Sequence, residues 1–260
     1  MRSLALLLAL LSPQLGLSWG MEGHRLIIRI AEGLLSPAAR EDIAATLAPG
    51  ESLVELASWA DEVRKLRKET EPWHYVDIPL NSAGFDWKRD CPEGNCVVGK
   101  IADFRKIWRD PRASATTRRE ALLFLVHFVG DLHQPLHCVD MDRGGNDVPV
   151  RFRGEHMNLH ALWDTALLKQ MPEEEQLFSK LSQAIRWEPL MKWSQGTIED
   201  WANESFHIAQ QTVYGLLPTA ASGETREIGQ SYERAAQPVI ELQLEKAAVR
   251  VAAILNENAR

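Results

Sequence analysis

The chain has 260 residues, of which 45% are hydrophobic and 25% charged, enough for one large domain with a substantial core. This composition excludes a disordered protein. The formal net charge is −7, so the chain lacks the basic surplus of proteins that hold polyanions through charge alone. A sequence-specific nucleic-acid binder is also disfavoured, because no basic recognition helix is evident.

The N-terminus has the pattern of a secretory signal peptide. Arg2 is followed by the apolar run Leu4–Leu11, then by helix-breaking Pro13 and small residues up to Ser18. The alternative is an uncleaved membrane anchor. It is disfavoured because the apolar run is far shorter than the roughly 20 residues that span a bilayer.

We therefore expect cleavage after Ser18, which makes residues 1–18 a signal peptide and residues 19–260 the mature domain. Trp19 becomes the mature N-terminus. The pattern predicts a secreted or periplasmic protein with no stable membrane association after the signal is removed.

Three cysteines are compatible with an exported protein. Cys91 and Cys96 enclose the turn-prone sequence PEGN and are predicted to form a disulfide. Cys138 is left over. A buried free thiol is favoured there over a metal ligand or an intermolecular bridge.

Helical patterns dominate the first part of the mature chain. Apolar residues recur at helical spacing in 23–35, Ser36 and Pro37 have the types expected at a helix start, and 52–66 is amphipathic. The segment 117–133 is apolar on nearly every side, which predicts a helix through the centre of the molecule.

The second half continues the helical pattern. Helices are predicted over 159–171, with Asn158 as the cap, and over about 173–186, 197–215 and 228–257. Strand signals are limited to a short hairpin within 142–155 and an extended stretch at 73–79. A mainly helical single domain with at most a short β-hairpin is expected.

The run HFVGDLHQPLH, residues 127–137, contains three histidines and an aspartate within an apolar region. Burial of such groups is unfavourable without a partner, and the commonest joint partner of His and Asp is a metal ion. His127 and Asp131 are four residues apart and would share a helix face. His160 and Asp164 repeat this spacing.

Further candidate ligands lie on both sides of this run. Pro135 should kink or end the helix, so that His137 can point away from the first pair. His24 follows the expected N-terminus closely, Asp61 follows an apolar stretch, and His74 lies in PWHYVDIP. Each alone is compatible with a hydrogen-bonded polar residue, but together they favour a metal centre.

Taken together, these motifs resemble a known family. WGMEGH, WADEVR, WHYVDIP, HFVGDLHQPLH, GGND and NLHALWD follow one another between Trp19 and Asp164, and the set resembles the secreted zinc-dependent single-strand nucleases of the S1/P1 type. The resemblance implies a helical phospholipase C/nuclease-like fold with three zinc ions. It also implies an endonuclease that hydrolyses single-stranded DNA and RNA to 5′-phosphate products and leaves 3′-nucleotidase activity open.

The resemblance further implies nine metal ligands, with Asp131 bridging two of the three ions. The first zinc would be held by Asp61, His74, His127 and Asp131. The second would be held by Asp131, His24, and the free amine and carbonyl oxygen of Trp19. The third would be held by His137, His160 and Asp164. The remaining histidines, His133, His156 and His207, match no ligand position.

Roles in catalysis and substrate binding are implied in the same way. Two ions that share a carboxylate can supply hydroxide at neutral pH, which Asp61 would help to orient. Arg64 would contact the phosphoryl oxygens. Tyr75 and Asp77 would bind a base and so favour unpaired strands. Asn146 is a weaker candidate for the phosphate region, because a Gly-Asn turn explains it equally well.

Two other functions remain open. A zinc phospholipase C has the same metal centre, but that branch typically carries HxxxE as its last ligand pair and a longer interval after the N-terminal Trp. A non-catalytic zinc-binding secreted protein would be expected to close its sites with four protein ligands. The sequence thus favours a nuclease, with single-stranded nucleic acids and nucleotides as substrates and a monomeric state.

Overall fold

Helices make up most of the computed structural model, which describes residues 19–221 and 223–257. The expected signal peptide, residues 1–18, lies outside the described residues. Within those ranges, no helix is both long and apolar enough to cross a membrane. The α-helices are α1 (Gly20–Gly33), α2 (Pro37–Thr46), α3 (Trp59–Leu66), α4 (Trp87–Asp90), α5 (Val97–Arg109), α6 (Ala115–Leu132), α7 (Asp142–Gly145), α8 (Leu159–Ala161), α9 (Glu174–Ala184), α10 (Trp187–Trp193), α11 (Ile198–Ile208) and α12 (Gln230–Asn256).

Tighter and wider helical turns extend or connect these helices. Turns of 3₁₀ type occur at Lys68–His74, Pro92–Gly94, Pro135–Cys138 and Leu168–Gln170. Turns of π type, Leu162–Ala166 and Ala209–Tyr214, continue α8 and α11. The predicted helices at 173–186, 197–215 and 228–257 are confirmed. The segment 159–171 is helical as predicted but changes its helix type twice.

Helix α6 forms the middle of the hydrophobic core. Every residue from Ala121 to Leu132 is buried, and α6 packs against α1, α2, α3, α5, α11 and α12. Neighbours on all sides explain why its sequence is apolar all round. The predicted central helix over 117–133 is confirmed, and it begins two residues earlier.

Local signals set several helix ends. Ser36, Asn158 and Thr197 each accept the backbone N–H of the residue three positions later, at the starts of α2, α8 and α11. These bonds satisfy N–H groups that the first helical turn leaves without partners. At its other end, α6 stops before Pro135, which begins a 3₁₀ turn. The caps predicted at Ser36 and Asn158 and the predicted stop at Pro135 are confirmed, while the cap at Thr197 was not predicted.

Helix α3 is shorter than the amphipathic helix predicted over 52–66. The prediction was wrong for the first half of that segment. Residues 53–58 form turns, and the helix begins at Trp59. In a continuous helix the Ala57 carbonyl would accept the N–H of Asp61. Instead Asp61 N–H donates to Ser58 O, and the Ala57 carbonyl accepts from His127.

Helices α5 and α10 were not predicted. Helix α5 buries Val97, Ile101, Phe104 and Trp108 on one face. Their spacing is helical, so the sequence contained the signal. Helix α10 has only seven residues and no buried one, so its pattern carried little information.

A small sheet lies beside the helices. β1 (Pro149–Phe152) pairs antiparallel with β2 (Glu155–Asn158), which confirms a hairpin in this region. The hairpin starts later than predicted, because Asp142–Gly145 is a turn. β3 (Arg226–Ile228), which was not predicted, adds a parallel strand to β1 and gives the order β2-β1-β3.

Candidate metal centre

The carboxylate of Asp131, near the C-terminal end of α6, faces three histidines. Its Oδ1 lies 3.3 Å from His24 Nε2, while its Oδ2 lies 2.9 Å from His74 Nδ1 and 3.3 Å from His127 Nε2. The side chain is completely buried. A carboxylate whose two oxygens face different imidazoles has the geometry needed to bridge two metal ions.

Asp61 and His74 approach His127 from α3 and from the end of a 3₁₀ turn. Asp61 Oδ1 lies 3.7 Å from His127 Nε2 and 4.0 Å from His74 Nδ1. The same oxygen lies 3.2 Å from Nη2 of Arg64, one turn further along α3. Asp61, His74 and His127 therefore form a buried cluster that could hold a cation, with a guanidinium at its edge.

His24 reaches the centre from α1. Its ring stacks on that of His127, with centroids 4.0 Å apart and planes 9° apart. The stack needs Gly130 on α6, because a Cβ there would lie 2.7 Å from Cε1 and Nδ1 of His24. His24, His127 and Asp131 form a second cluster, which shares His127 with the first.

The third cluster consists of His137, His160 and Asp164. His160 Nε2 lies 3.2 Å from Asp164 Oδ2, and the rings of His137 and His160 stack with centroids 5.1 Å apart. His137 belongs to the 3₁₀ turn after Pro135, and its Nδ1 lies 3.9 Å from Asp131 Oδ1, so the predicted turn away from the first pair is only partial and His137 lies between that pair and the third cluster. The structure thus brings together all of the His and Asp residues predicted as ligands.

The short segment α7 is a left-handed turn rather than a regular α-helix, and it holds His160 in place. Asp142, Arg143 and Gly144 have φ angles of +50°, +53° and +61°. Only Gly adopts such angles without strain, so the first two residues are held there against their preference. At Gly144, a Cβ would also lie 2.6 Å from a backbone oxygen. The turn directs Gly144 O to His160 Nδ1, at 2.7 Å.

Backbone carbonyls orient three of the imidazoles through Nδ1. His127 donates to Ala57, His137 to His74 and His160 to Gly144, at 2.7 to 2.8 Å. Because a carbonyl only accepts, Nδ1 carries a proton in each ring, which leaves Nε2 as the atom that can bind a metal once it is deprotonated. Among the described residues, the buried Nε2 atom of His137 has no hydrogen-bond partner, and that of His127 faces only the carboxylates of Asp61 and Asp131. Such atoms are rare in proteins, and metal coordination would satisfy them.

Electrostatics keep the carboxylate at the centre ionised. Burial acts to raise the pKa of Asp131, but the surrounding histidines, His127 first, hold that pKa well below its usual range. Burial acts to lower the pKa of His127, yet Asp131 and Asp61 raise it to about 9. Burial lowers the pKa of His137 to about 4. A cation that binds here must therefore displace a proton from His127, whereas His137 is already neutral.

Trp19 begins the described chain at the head of α1. Its indole is fully buried and donates from Nε1 to Gly130 O at 3.1 Å. Gly23 packs on it so closely that a Cβ would lie 2.8 Å from Trp19 Cβ. The indole thus anchors this backbone to α6, one residue from Asp131.

The predicted base-binding residues lie on an extended segment directly after His74. Tyr75 and Asp77 are exposed, while Val76 and Ile78 are buried. Side chains alternate in extended backbone, so Tyr75 and Asp77 share the solvent face. Tyr75 is 37% exposed, which leaves part of its ring available for stacking.

Asn146 contacts other parts of the protein. Its Nδ2 donates to Arg143 O at 2.9 Å, and its Oδ1 accepts from Asn158 Nδ2 at 3.3 Å. These bonds connect the left-handed turn to the cap of α8. They support a structural role in holding the turn beside His160.

The other histidines lie outside the clusters. His133 is buried, bonded to Val129 O through Nδ1 and to Arg250 through Nε2, and burial together with Arg250 lowers its pKa. His156 and His207 are exposed. Cys91 and Cys96 form the predicted disulfide, and Cys138 is a buried free thiol as predicted.

Comparison with known proteins agrees with this geometry. The family described as S1/P1 Nuclease matches residues 19–260. Nuclease P1 of Penicillium citrinum is 30% identical over 269 residues, covering 92% of this chain and 97% of the relative. Nuclease S1 of Aspergillus oryzae is 31% identical over 276 residues, covering 94% and 92%. Endonuclease 1 of Arabidopsis thaliana is 31% identical over 269 residues, covering 92% and 86%.

The match extends from the first described residue through the helices that follow the third cluster. It therefore includes the C-terminal third, which the sequence motifs did not cover. From its three buried His/Asp clusters, its helical fold and these similarities, we conclude that the chain belongs to the S1/P1 nuclease family.

Proposed function

We propose that this protein is a zinc-dependent endonuclease that hydrolyses single-stranded DNA and RNA to 5′-phosphate products and also removes 3′-phosphates from nucleotides. The observation that carries this proposal is the adjacency of three buried His/Asp clusters, two of which share His127. Imidazole and carboxylate donors with room for further ligands are typical of catalytic rather than structural zinc.

The donor set fits three zinc ions. Asp61, His74, His127 and Asp131 would hold one, and His137, His160 and Asp164 another. The third would take His24 and Asp131, together with the amine and carbonyl of Trp19. The buried Nε2 of neutral His137 and the ionised central carboxylate support this assignment.

The terminal amine of Trp19 exists only after the preceding peptide bond is cleaved. We propose that residues 1–18 are a signal peptide removed on export, and that residues 19–260 act as a secreted or periplasmic monomer. The buried indole, bonded to Gly130 O, would hold the new N-terminus beside Asp131. An α-amine has a pKa near 7.7–8.0, so a metal can displace its proton at neutral pH at little cost.

Bound zinc would lower the pKa of water and neutralise negative charge on the phosphodiester and its leaving oxygen. The chain's own residues orient the reactants. Asp61, a buried member of the first cluster, would accept a hydrogen bond from the attacking water. Arg64, whose direction is set by its ion pair with Asp61, would donate to the phosphoryl oxygens.

Tyr75 and Asp77 would select the substrate. An exposed ring can stack on an unpaired base, whereas a duplex must first be opened to offer one. Asp77 lies on the same face, where its carboxylate could accept from a base edge. Single strands are therefore the preferred substrates.

The test compares substrates and metals on protein that begins at Trp19. Zinc content is measured before and after chelation, and cleavage is assayed on single-stranded DNA, duplex DNA, RNA, a 3′-nucleotide and phosphatidylcholine. We expect three zinc ions, loss of activity on chelation, recovery with zinc and 5′-phosphate ends. Asp131→Asn is the inactive control.

Other outcomes would identify the alternatives. Cleavage of phosphatidylcholine alone would identify a phospholipase C. Three bound zinc ions without hydrolysis of any phosphate ester would identify a zinc-binding protein. Size-exclusion chromatography with light scattering tests the monomer.

A further inference from the structure

Gln134 is a fully buried glutamine between the Asp131 end of α6 and the turn that carries His137. Its Nε2 donates to Asp164 Oδ1 at 2.5 Å, and its Oε1 accepts the backbone N–H of Leu136 at 2.6 Å. Because an N–H can only donate, the Leu136 bond fixes which end of the amide is oxygen. The NH₂ group must therefore face Asp164.

This contact makes the two oxygens of Asp164 different. Oδ1 is held by Gln134, while Oδ2 lies 3.2 Å from His160 Nε2. Apart from this contact with His160, the buried Oδ2 has no hydrogen-bond partner within the described part of the chain. The amide thus restrains rotation of the carboxylate and leaves one oxygen directed into the third cluster.

The other end of the same side chain supports a second member of that cluster. Through Oε1, Gln134 caps the 3₁₀ turn Pro135–Cys138, which carries His137. The backbone N–H of His137 also donates to the backbone carbonyl of residue 134 at 2.9 Å, a bond that does not depend on the side chain. His137 and Asp164 are distant in sequence and lie on different elements. Gln134 is in direct contact with both elements.

We propose that Gln134 is a positioning residue that sets the Asp164 carboxylate and the His137 turn for metal binding at the third cluster. This inference rests on the proposed function, because it takes that cluster to be a metal site. Hydrogen bonds to the outer atoms of metal ligands fix ligand orientation, and their loss typically weakens metal affinity about 10–100-fold.

The chemistry of the side chain explains why an amide is required. Glutamate can accept from Leu136 N–H, but an ionised carboxylate cannot donate to Asp164 and would repel it. Methionine fills a similar volume with neither function. Gln134→Glu therefore retains the cap and removes the donor, whereas Gln134→Met removes both.

Gln243 provides a matched control. It is also fully buried, and its Nε2 donates to His133 O at 2.9 Å and to Ser205 Oγ at 3.1 Å. Among the described residues, no hydrogen bond joins its side chain to a proposed ligand. Gln243→Met removes a buried amide of the same size and reports the general effect of that loss on the core.

The experiment uses mature protein loaded with zinc and titrated with a chelator at pH 8. Bound zinc is counted by mass spectrometry, with melting temperature and single-strand cleavage measured in parallel. We expect both Gln134 variants to release one of three ions at about 10–100-fold lower chelator strength and to keep the other two. Gln243→Met should keep all three at wild-type affinity.

Three results would overturn the inference. If both Gln134 variants keep all three ions at wild-type affinity, Gln134 does not position the site, while an active wild type with three ions leaves the proposed function intact. If Gln243→Met weakens zinc binding as much as the Gln134 variants do, the effect is a general loss of core packing. If the wild type binds no zinc, the proposed function fails, and this inference with it.

Discussion

Gly130→Ala tests whether the close packing of His24 against α6 is required for metal binding. The added Cβ would lie 2.7 Å from His24, whereas ordinary contact begins at 3.4 Å, so the imidazole must shift by about 0.7 Å. It has little room, because it is buried and stacked on His127 at 4.0 Å. Metal–ligand distances tolerate only about 0.2 Å. We therefore expect the variant to lose the ion held by His24 and at least about 100-fold in kcat/KM.

The expected change in stability is much smaller. Alanine favours the helix by about 1 kcal/mol over glycine, while overpacking opposes it by about 1–3 kcal/mol. The net loss is about 0–2 kcal/mol, measurable by denaturant unfolding of chelated protein. Gly33→Ala in α1 is the control, since no atom lies within 4 Å of its added Cβ. A Gly130→Ala enzyme with wild-type activity and zinc content would refute this account of the His24 position.

Three further predictions follow from other parts of the structure. Residues retained ahead of Trp19 should abolish most nuclease activity without changing the circular dichroism spectrum. The same residues added after Arg260 should leave the activity unchanged. Normal cleavage by the protein extended ahead of Trp19 would rule out the amine ligand. Tyr75→Ala should lower kcat/KM on single-stranded DNA about 10–100-fold through lost stacking, and Tyr75→Phe should not; equal losses would point to the hydroxyl instead. Burial, together with Glu241, raises the pKa of Glu245 from 4.5 to about 7, so its contribution to stability is complete below pH 4.5 and is lost as the pH rises through 7. Glu245→Gln should therefore be neutral near pH 4.5 and more stable than wild type by at most about 3 kcal/mol at pH 8; a pH-independent difference in unfolding free energy would contradict this pKa.

The sequence predicted the parts of the site that depend on spacing along one element. His127 with Asp131, and His160 with Asp164, are four residues apart on helical turns, and Pro135 ends α6 so that His137 lies on a separate 3₁₀ turn. These arrangements are local. They follow from helix geometry and from the proline ring, and they do not depend on how distant parts of the chain pack.

The supporting contacts could not be predicted, because they join backbone groups distant in sequence. The carbonyls of Ala57 and Gly144 orient His127 and His160, yet a carbonyl is common to every residue. Gly130 matters because α1 brings His24 against it. The short strand β3 becomes a strand only by pairing with β1, more than seventy residues earlier.

The location of His127 and Asp131 on α6 links metal binding to the thermal stability of the protein. Ligands carried by a surface loop can come apart while the scaffold remains intact. Here His127 and Asp131 lie on the helix around which the core is packed, so an ion held by these two residues is bound to the core itself. Chelation should therefore lower the melting temperature of the whole domain. The melting temperature should rise with the fraction of sites that hold zinc.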